Sequence, residues 1–169
     1  TTHMIAAFIN VAALIYTIHL AKGATAYLAK YDKWFYTFAW ITMILSLMQI
    51  GLGTQVRQFT DEKTSECIVA VELLLKNPYV NFYIHCTFSF LIFFANLYLF
   101  LRNKRLNLGS KKVNWVMLLL IVEIITGILM YYVHFPFGTQ AAHLVLAALM
   151  YGLQISMILE MKKEKTHEA

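Results

Sequence analysis

Three of the six histidines share a local pattern that suits the binding of a flat ring. His3, His85 and His143 each lie a few residues inside the N-terminal end of a long apolar run. The residue four positions later is small in every case; in order, these residues are Ala7, Ser89 and Ala147. In a helix, that position lies one turn away on the same face. A large side chain there would collide with a planar group bonded to the imidazole, so the pattern predicts histidine ligands of a haem-like macrocycle.

Iron in a haem is the metal that these ligands suit best. Structural zinc sites use four Cys, His or carboxylate ligands, usually closely spaced, and Cys86 points about 100° away from His85 around a helix. Imidazole is a usual axial ligand of haem iron, and helical bundles commonly hold cofactors in their cores. We therefore predict a haem whose iron is bound by His85 and His143. The alternative is that each histidine only forms a hydrogen bond to a neighbouring helix.

The elements that carry these histidines are long apolar segments. Hydrophobic residues make up 60% of the 169 residues and charged residues only 14%, against roughly 45–50% and about 25% in soluble domains. Five runs approach the roughly 20 residues that a helix needs to cross a bilayer, and they cover residues 4–21, 34–53, 81–101, 113–133 and 141–161. The expected fold is an all-α membrane protein with five transmembrane helices. This composition argues against a soluble enzyme, a disordered chain and a disulfide-rich secreted module.

The basic residues predict how the helices are oriented. Most of the 14 Lys and Arg residues follow the first, third and fifth runs. Alternating crossings place these three groups on one side, which the positive-inside rule identifies as cytoplasmic. We therefore expect a bacterial cytoplasmic membrane protein with its N-terminus outside and its C-terminus in the cytoplasm. No nucleic-acid partner is expected, because the basic residues do not form one face of a soluble domain.

The second and third runs resemble the fourth and fifth. Gln49 precedes Gly53 by four residues, as Glu123 precedes Gly127, and a histidine follows in the next run of each pair. Two copies of a two-helix unit predict that the last four helices form a haem-binding four-helix bundle. Glu123 lies inside a predicted span, so it is expected either to be protonated and hydrogen-bonded or to belong to a proton path.

Two polar residues just beyond the second run are placed to bind the carboxylates of a haem. His85 and His143 lie near the outer ends of their helices, so the haem propionates should face the outer surface. Arg57 could pair with a propionate, and Gln55 could add a hydrogen bond. The alternative for Arg57 is a solvated charge at the membrane surface.

A polar outer loop is predicted over residues 54–80. Its segment 68–75 is apolar enough for a short interfacial helix, and Pro78 would end that helix. Cys67 in this loop and Cys86 in the next helix would lie at different depths, so no disulfide between them is expected.

Taken in order, these motifs resemble those of the heme A synthase family. The matching stretches are Gln49-Ile-Gly-Leu-Gly-Thr-Gln-Val-Arg57, the helix around His85, Glu123-Ile-Ile-Thr-Gly-Ile128, Phe135-Pro136-Phe137 and Ala142-His143-Leu-Val-Leu-Ala147. Members of the family are usually eight-helix proteins made of two similar halves, each with a haem pocket and a pair of histidines. The chain resembles the fourth to eighth helices. Residues 1–33 then correspond to the last helix of an N-terminal half and a cytoplasmic linker, and residues 34–169 correspond to the four-helix C-terminal half.

The resemblance implies a membrane oxidoreductase that oxidises a ring methyl of heme O to the formyl group of heme A. His85 and His143 would ligate the haem b of the C-terminal half, and His3 would be a ligand of the N-terminal half. The family's catalytic glutamate lies three residues before the first histidine of the N-terminal half, and that catalytic half is expected to be absent. The corresponding position before His85 is Phe82, so no catalytic residue is identified. Cys86 also departs from the family, which often has Arg after the first histidine.

The same resemblance implies the partners of the protein. They are the lipid bilayer, heme O and heme A, a heme O synthase and the assembly of a terminal oxidase, with a homo-oligomer as a further expectation. One alternative function is a membrane cytochrome b subunit that carries electrons between a quinol and a partner. Such a subunit should have ligands at two depths, but His19 is the only deep candidate, about 24 Å from His3 along the helix. A second alternative is a membrane subunit without haem.

Overall fold

The computed structural model describes residues 2–22, 31–65, 79–133, 136 and 138–161, and the regular structure within these ranges is entirely helical. The five helices are α1 (Thr2–Lys22), α2 (Lys33–Ser65), α3 (Val80–Leu106), α4 (Lys111–Tyr132) and α5 (Thr139–Glu160). Helices α2 to α5 are long and apolar enough to cross a membrane, whereas the apolar part of α1, Ala6–Ala21, is shorter. The all-α membrane fold is confirmed, and the crossing by α1 stays a prediction.

Helices α2 to α5 form a ring. Each packs against its neighbour along the chain, and α5 closes the ring against α2. Helices α3 and α5 are therefore diagonal to each other, as are α2 and α4. Helix α1 packs on α5, where the edge of the Phe8 ring meets Tyr151 at a centroid distance of 5.6 Å. This arrangement agrees with the predicted bundle of the last four helices.

The bundle has two chemically different ends. One end carries His85 and His143 and is called the histidine end. The opposite end, called the basic end, holds one ion pair that joins the start of α2 to α3 and another that joins α4 to α5. Arg102 of α3 donates two hydrogen bonds, of 2.7 and 2.9 Å, to the carboxylate of Asp32, and Lys112 of α4 lies 2.5 Å from a carboxylate oxygen of Glu160 on α5.

Asp32 also begins helix α2. Its Oδ1 accepts a hydrogen bond of 2.7 Å from the backbone N–H of Phe35, which satisfies one of the free N–H groups at the start of a helix. The hydrogen bonds from Arg102, followed by the one from Phe35, hold the pKa of the Asp32 carboxyl below its usual value. One side chain therefore caps α2 and attaches it to α3.

Helix α2 continues to Ser65, so the prediction of a loop was wrong for residues 54–65. Side chains one turn apart support this polar extension: Gln58 donates to Glu62 at 2.8 Å and Arg57 donates to Asp61 at 3.4 Å. Pairs at this spacing stabilise exposed helices. The predicted interfacial helix over residues 68–75 and Cys67 lie outside the described residues, as do His134 and His167.

A buried polar group crosses the middle of the bundle. Four side chains with at most 2% exposure lie between apolar clusters, and they are Thr42, Ser46, Asn96 and Gln154. The amide of Gln154 is 3.5 Å from that of Asn96, which links α5 to α3. Polar contacts of this kind fasten helices to each other in a membrane, where apolar burial contributes little to association.

Candidate functional site

The two central predicted ligands lie at the histidine end on diagonal helices. His85 is on α3 and His143 is on α5, and the two rings are close enough for the charge of one to act on the other. Both side chains are partly buried. Because they come from diagonal helices, the two imidazoles approach the interior of the bundle from opposite sides.

A glycine of the adjoining helix lies against each histidine. A Cβ added to Gly53 of α2 would stand 3.0 Å from Cε1 of His85, and one added to Gly127 of α4 would stand 3.8 Å from Cε1 of His143. The first distance is shorter than most real contacts, so a side chain at Gly53 would push the ring. The absence of a side chain at each glycine therefore makes space for the neighbouring ring. The His85 ring lies close against Gly53, whereas the His143 ring is at ordinary contact distance from Gly127.

The ring of His143 is held from behind by helix α4. Its Nδ1 lies 2.7 Å from Oε2 of Glu123 and 2.8 Å from Oγ1 of Thr126. The Glu123 side chain is 9% exposed and that of His143 is 26% exposed. A carboxylate that accepts a hydrogen bond from one ring nitrogen orients the other nitrogen toward a metal in many metalloproteins. The contacts at Nδ1 therefore reserve Nε2 of His143 for a ligand.

The ring of His85 has a different environment. Its Nδ1 is buried and has no hydrogen-bond partner among the described residues. Gln49 of α2, which occupies the position equivalent to Glu123, donates from Nε2 to the backbone carbonyl of His85 at 2.9 Å. Gln49 therefore fixes the backbone of α3 at this level and leaves the orientation of the His85 ring to packing against Gly53.

The donor set suits a haem, and the residues beside it are small. Two imidazoles on diagonal helices are side chains of the kind that could hold haem iron. The helices between them carry glycine at the same level, and Ala147, one turn beyond His143, is small. Within the described ranges, no group of three or more His, Cys, Asp or Glu residues could hold a metal ion. A pair of histidines without a third protein ligand suits a macrocycle that brings its own nitrogen donors.

The two residues predicted to bind propionates lie at the rim of this site. Arg57 is one turn beyond Gly53 on the same face of α2, half-exposed, and paired with Asp61 at 3.4 Å. Gln55 is exposed and accepts a hydrogen bond of 3.0 Å from Asn81 of α3. Arg57 therefore has the position for an anion near His85, while Gln55 serves as a link between α2 and α3.

His3 is not brought to the other two histidines. Its side chain is exposed on α1, the helix that packs against the outside of α5. His19 is partly buried on the same helix. Among the described residues, the pocket is built by α2 to α5 alone.

Thr126 is the functional candidate that the sequence reasoning missed. Its hydroxyl contacts His143 and also donates to the backbone carbonyl of Glu123 at 2.9 Å. The available signal was its spacing, because residues three apart on a helix share a face. A threonine three residues after a buried glutamate could have been read as part of the same polar group.

The fold and the site together define a class: a polytopic helical membrane protein with paired histidines that converge inside a four-helix bundle. Over residues 1–155, the chain matches the model of the COX15-CtaA family, described as cytochrome oxidase assembly protein. The chain therefore belongs to this family, the heme A synthase family, whose members are oxidoreductases of cytochrome oxidase assembly. No curated protein and no solved structure matches the chain significantly.

Proposed function

We propose that the four-helix bundle binds one haem b between His85 and His143, as part of a heme A synthase that converts heme O to heme A. The observation that carries this proposal is the convergence of two partly buried imidazoles from diagonal helices, each beside a glycine. The bound haem would supply one-electron redox chemistry. His85 and His143 would hold its iron through Nε2, and the carboxyl of Glu123 and the hydroxyl of Thr126 would orient the His143 ring.

The pocket in this bundle transfers electrons or supports the fold, and the oxidation of the heme O methyl group takes place at another site. Two arguments support this division. His85 and His143 would both hold the iron, which would leave no place on it for a reacting molecule. Phe82, which corresponds in this half to the catalytic glutamate of the family's N-terminal half, stacks on Tyr131 at a centroid distance of 5.4 Å and has no acid–base group.

The rim of the pocket binds the haem propionates through Arg57. Its guanidinium lies one turn beyond Gly53 and its weak contact with Asp61, at 3.4 Å, is easily exchanged for a carboxylate of the ligand. Paired hydrogen bonds from arginine to a carboxylate are among the stronger polar contacts in proteins. Gln55 would assist if its amide turned away from Asn81.

His3 serves a second haem site that this bundle does not form. The exposed position of His3 on α1, outside the ring of helices, supports this assignment. Further helices or a second copy of the chain would pack there and complete the pocket. We extend the proposal to a bacterial cytoplasmic membrane with the histidine end outside, and to work beside a heme O synthase and a terminal oxidase.

The experiment uses the purified chain expressed with an ample haem supply. The parent is compared with His85→Ala, His143→Ala and the control His19→Ala, and haem is quantified by the pyridine haemochrome spectrum. We expect low-spin b-type haem in the parent and the control, and haem loss or a change of spin state in the two pocket variants. Bound haem with an unchanged spectrum in His143→Ala would contradict the assigned ligand.

A second measurement tests the reaction. The chain is expressed with a heme O synthase in a host that makes no heme A, and extracted haems are separated by chromatography. Heme O without heme A is expected if the oxidation site lies outside this bundle. Formation of heme A would refute that division. The quinol-linked cytochrome b alternative calls for ligands at two depths, whereas the described part of the bundle contains one pair of histidines.

A further inference from the structure

Helix α4 presents two polar groups to the same nitrogen of His143. Oε2 of Glu123 and Oγ1 of Thr126 lie 2.7 and 2.8 Å from Nδ1. The two residues are three apart on one helix, so both reach α5 from one face. This double contact distinguishes His143 from an imidazole that merely fills space.

The hydrogen bond of Thr126 to its own helix favours one position of the His143 ring proton. A hydroxyl has one proton to donate, and the hydroxyl of Thr126 lies 2.9 Å from the backbone carbonyl of Glu123 as a donor. With its proton given to that carbonyl, Oγ1 is an acceptor toward His143, an arrangement that favours a proton on Nδ1. That proton is shared between Oγ1 and the carboxyl oxygen, as in other three-centre hydrogen bonds. The lone pair of the neutral ring is then on Nε2, which points away from α4.

Burial of the Glu123 carboxyl group at this position is energetically unfavourable. Glu123 is 7% exposed in a helix that is apolar enough to span a membrane, and its Oε1 has no partner among the described residues. Burying a carboxyl without complete hydrogen bonding is unfavourable, so packing alone does not explain it. The contact that it does make is with His143.

We propose that Glu123 is a positioning residue that fixes His143 in the tautomer with the proton on Nδ1 and makes it the stronger electron donor of the two histidines. The inference rests on the proposed function, in which His143 ligates haem iron through Nε2. A hydrogen bond from Nδ1 to a carboxyl oxygen raises the basicity of the ligating nitrogen. A more basic ligand favours the oxidised, more positive iron, so Glu123 lowers the reduction potential of the haem. His85, whose Nδ1 has no described partner, lacks this effect.

The test compares the haem-loaded parent with Glu123→Gln and with Ser46→Ala. Glutamine keeps the shape but replaces the carboxylate, which is the stronger acceptor. Ser46 is a buried polar residue of the same bundle whose hydroxyl has no hydrogen-bond partner among the described residues. Potentiometric titration should show a higher midpoint potential in Glu123→Gln and no change in Ser46→Ala. Thr126→Val should give a smaller rise, because the carboxyl of Glu123 still accepts from Nδ1.

A second readout needs no haem. In the haem-free chain labelled with ¹⁵N-histidine, nitrogen chemical shifts report the tautomer of each ring. We expect His143 to carry its proton on Nδ1 in the parent, and to shift toward the Nε2-protonated form in a double variant, Glu123→Leu with Thr126→Val. An unchanged tautomer would overturn the positioning role even if a variant failed to load haem.

The outcomes separate the two proposals. Low-spin haem in parent and Glu123→Gln with equal midpoint potentials would overturn the role of Glu123 and leave the haem site standing. A parent that binds no low-spin haem would overturn the proposed function, whatever the tautomer of His143.

Discussion

The two helix pairs of the bundle repeat one plan but hold their histidines differently. In the pair α4–α5, Glu123 binds the His143 ring at Nδ1 and Gly127 leaves it free space. In the pair α2–α3, Gln49 binds the backbone of His85, and Gly53 lies close against the ring. One histidine is therefore oriented by hydrogen bonds and the other by steric contact.

This difference shows how a duplicated unit can supply two unequal ligands. An internal repeat alone would produce two equivalent imidazoles. Exchange of an amide for a carboxyl at a single equivalent position changes which atom of the partner helix is bound. The two histidines are therefore unequal, because the ring of His143 is held by hydrogen bonds and the ring of His85 lies against Gly53.

The largest effect is expected at the two glycines that lie against the histidine rings. Gly53→Ala should lower the free energy of unfolding by about 1 kcal/mol, because overpacking costs about 1–3 kcal/mol and the helix gains up to about 1 kcal/mol from alanine. Gly127→Ala meets His143 only at ordinary contact distance, so it should be neutral or stabilising. Unfolding in mixed micelles by a denaturing detergent measures both.

Haem content should follow the same order. The ring of His85 must move when Gly53 gains a side chain, so we expect weaker haem binding in Gly53→Ala and parent-like binding in Gly127→Ala. Equal behaviour of the two variants would show that both rings have the same freedom.

An intermediate effect is expected at the basic end, where Asp32 attaches α2 to α3. Asp32→Asn keeps a capping oxygen for Phe35 but loses the charge that binds Arg102, so the thermal unfolding midpoint should fall. Asp32→Ala should lower it further. Glu160→Gln tests the corresponding contact of the pair α4–α5 with Lys112.

The difference in thermal unfolding midpoint between the parent and Asp32→Asn should depend on pH. The pKa of Asp32 in the folded protein is below its ordinary value, so the ion pair stabilises the fold above that ordinary value. The stabilisation is lost as pH falls through the lowered folded-state pKa. The midpoints of the parent and Asp32→Asn should differ at neutral pH and converge in acid; a constant gap would contradict the ion pair as its source.

The smallest effect is expected at Gln49, which binds the backbone of His85 and not its ring. Gln49→Leu removes the hydrogen bond to the His85 carbonyl, and such bonds between membrane helices contribute about 0.6 kcal/mol on average. The spectrum and midpoint potential of bound haem should stay near those of the parent, because the His85 ring is untouched. A change in potential as large as that of Glu123→Gln would show that the two halves support their ligands alike.

Much of this organisation could be predicted from sequence because it rests on strong local signals. Runs of about 20 apolar residues have few stable arrangements besides membrane-spanning helices, and the histidines stand at fixed intervals from small residues on one helix face. The equivalence of Gln49 with Glu123 was also visible in the linear spacing. The polar extension of α2 was missed because its support comes from weak pairs one turn apart, such as Gln58 with Glu62.

The three histidines with the same local pattern do not lie together in the structure. His3, His85 and His143 share one local pattern, yet the structure brings together only the last two. The pattern describes the face of a single helix, whereas the pocket depends on which helices are neighbours. Helix α1 packs outside the ring on α5. The local pattern around His3 gives no sign of this separation, whereas the resemblance to the heme A synthase family predicts it by assigning His3 to the other half.

The helices, the membrane as their solvent and the histidines proposed to bind a haem could all be identified from the sequence, because hydrophobicity and side-chain chemistry are local properties. The tertiary structure alone decided that α3 and α5 are diagonal and that Glu123 and Thr126 meet Nδ1 of His143 while Gln49 turns to a carbonyl. These choices depend on helix rotation and register. A shift by one residue turns a side chain about 100° around the helix axis, which is enough to exchange a ring contact for a backbone contact.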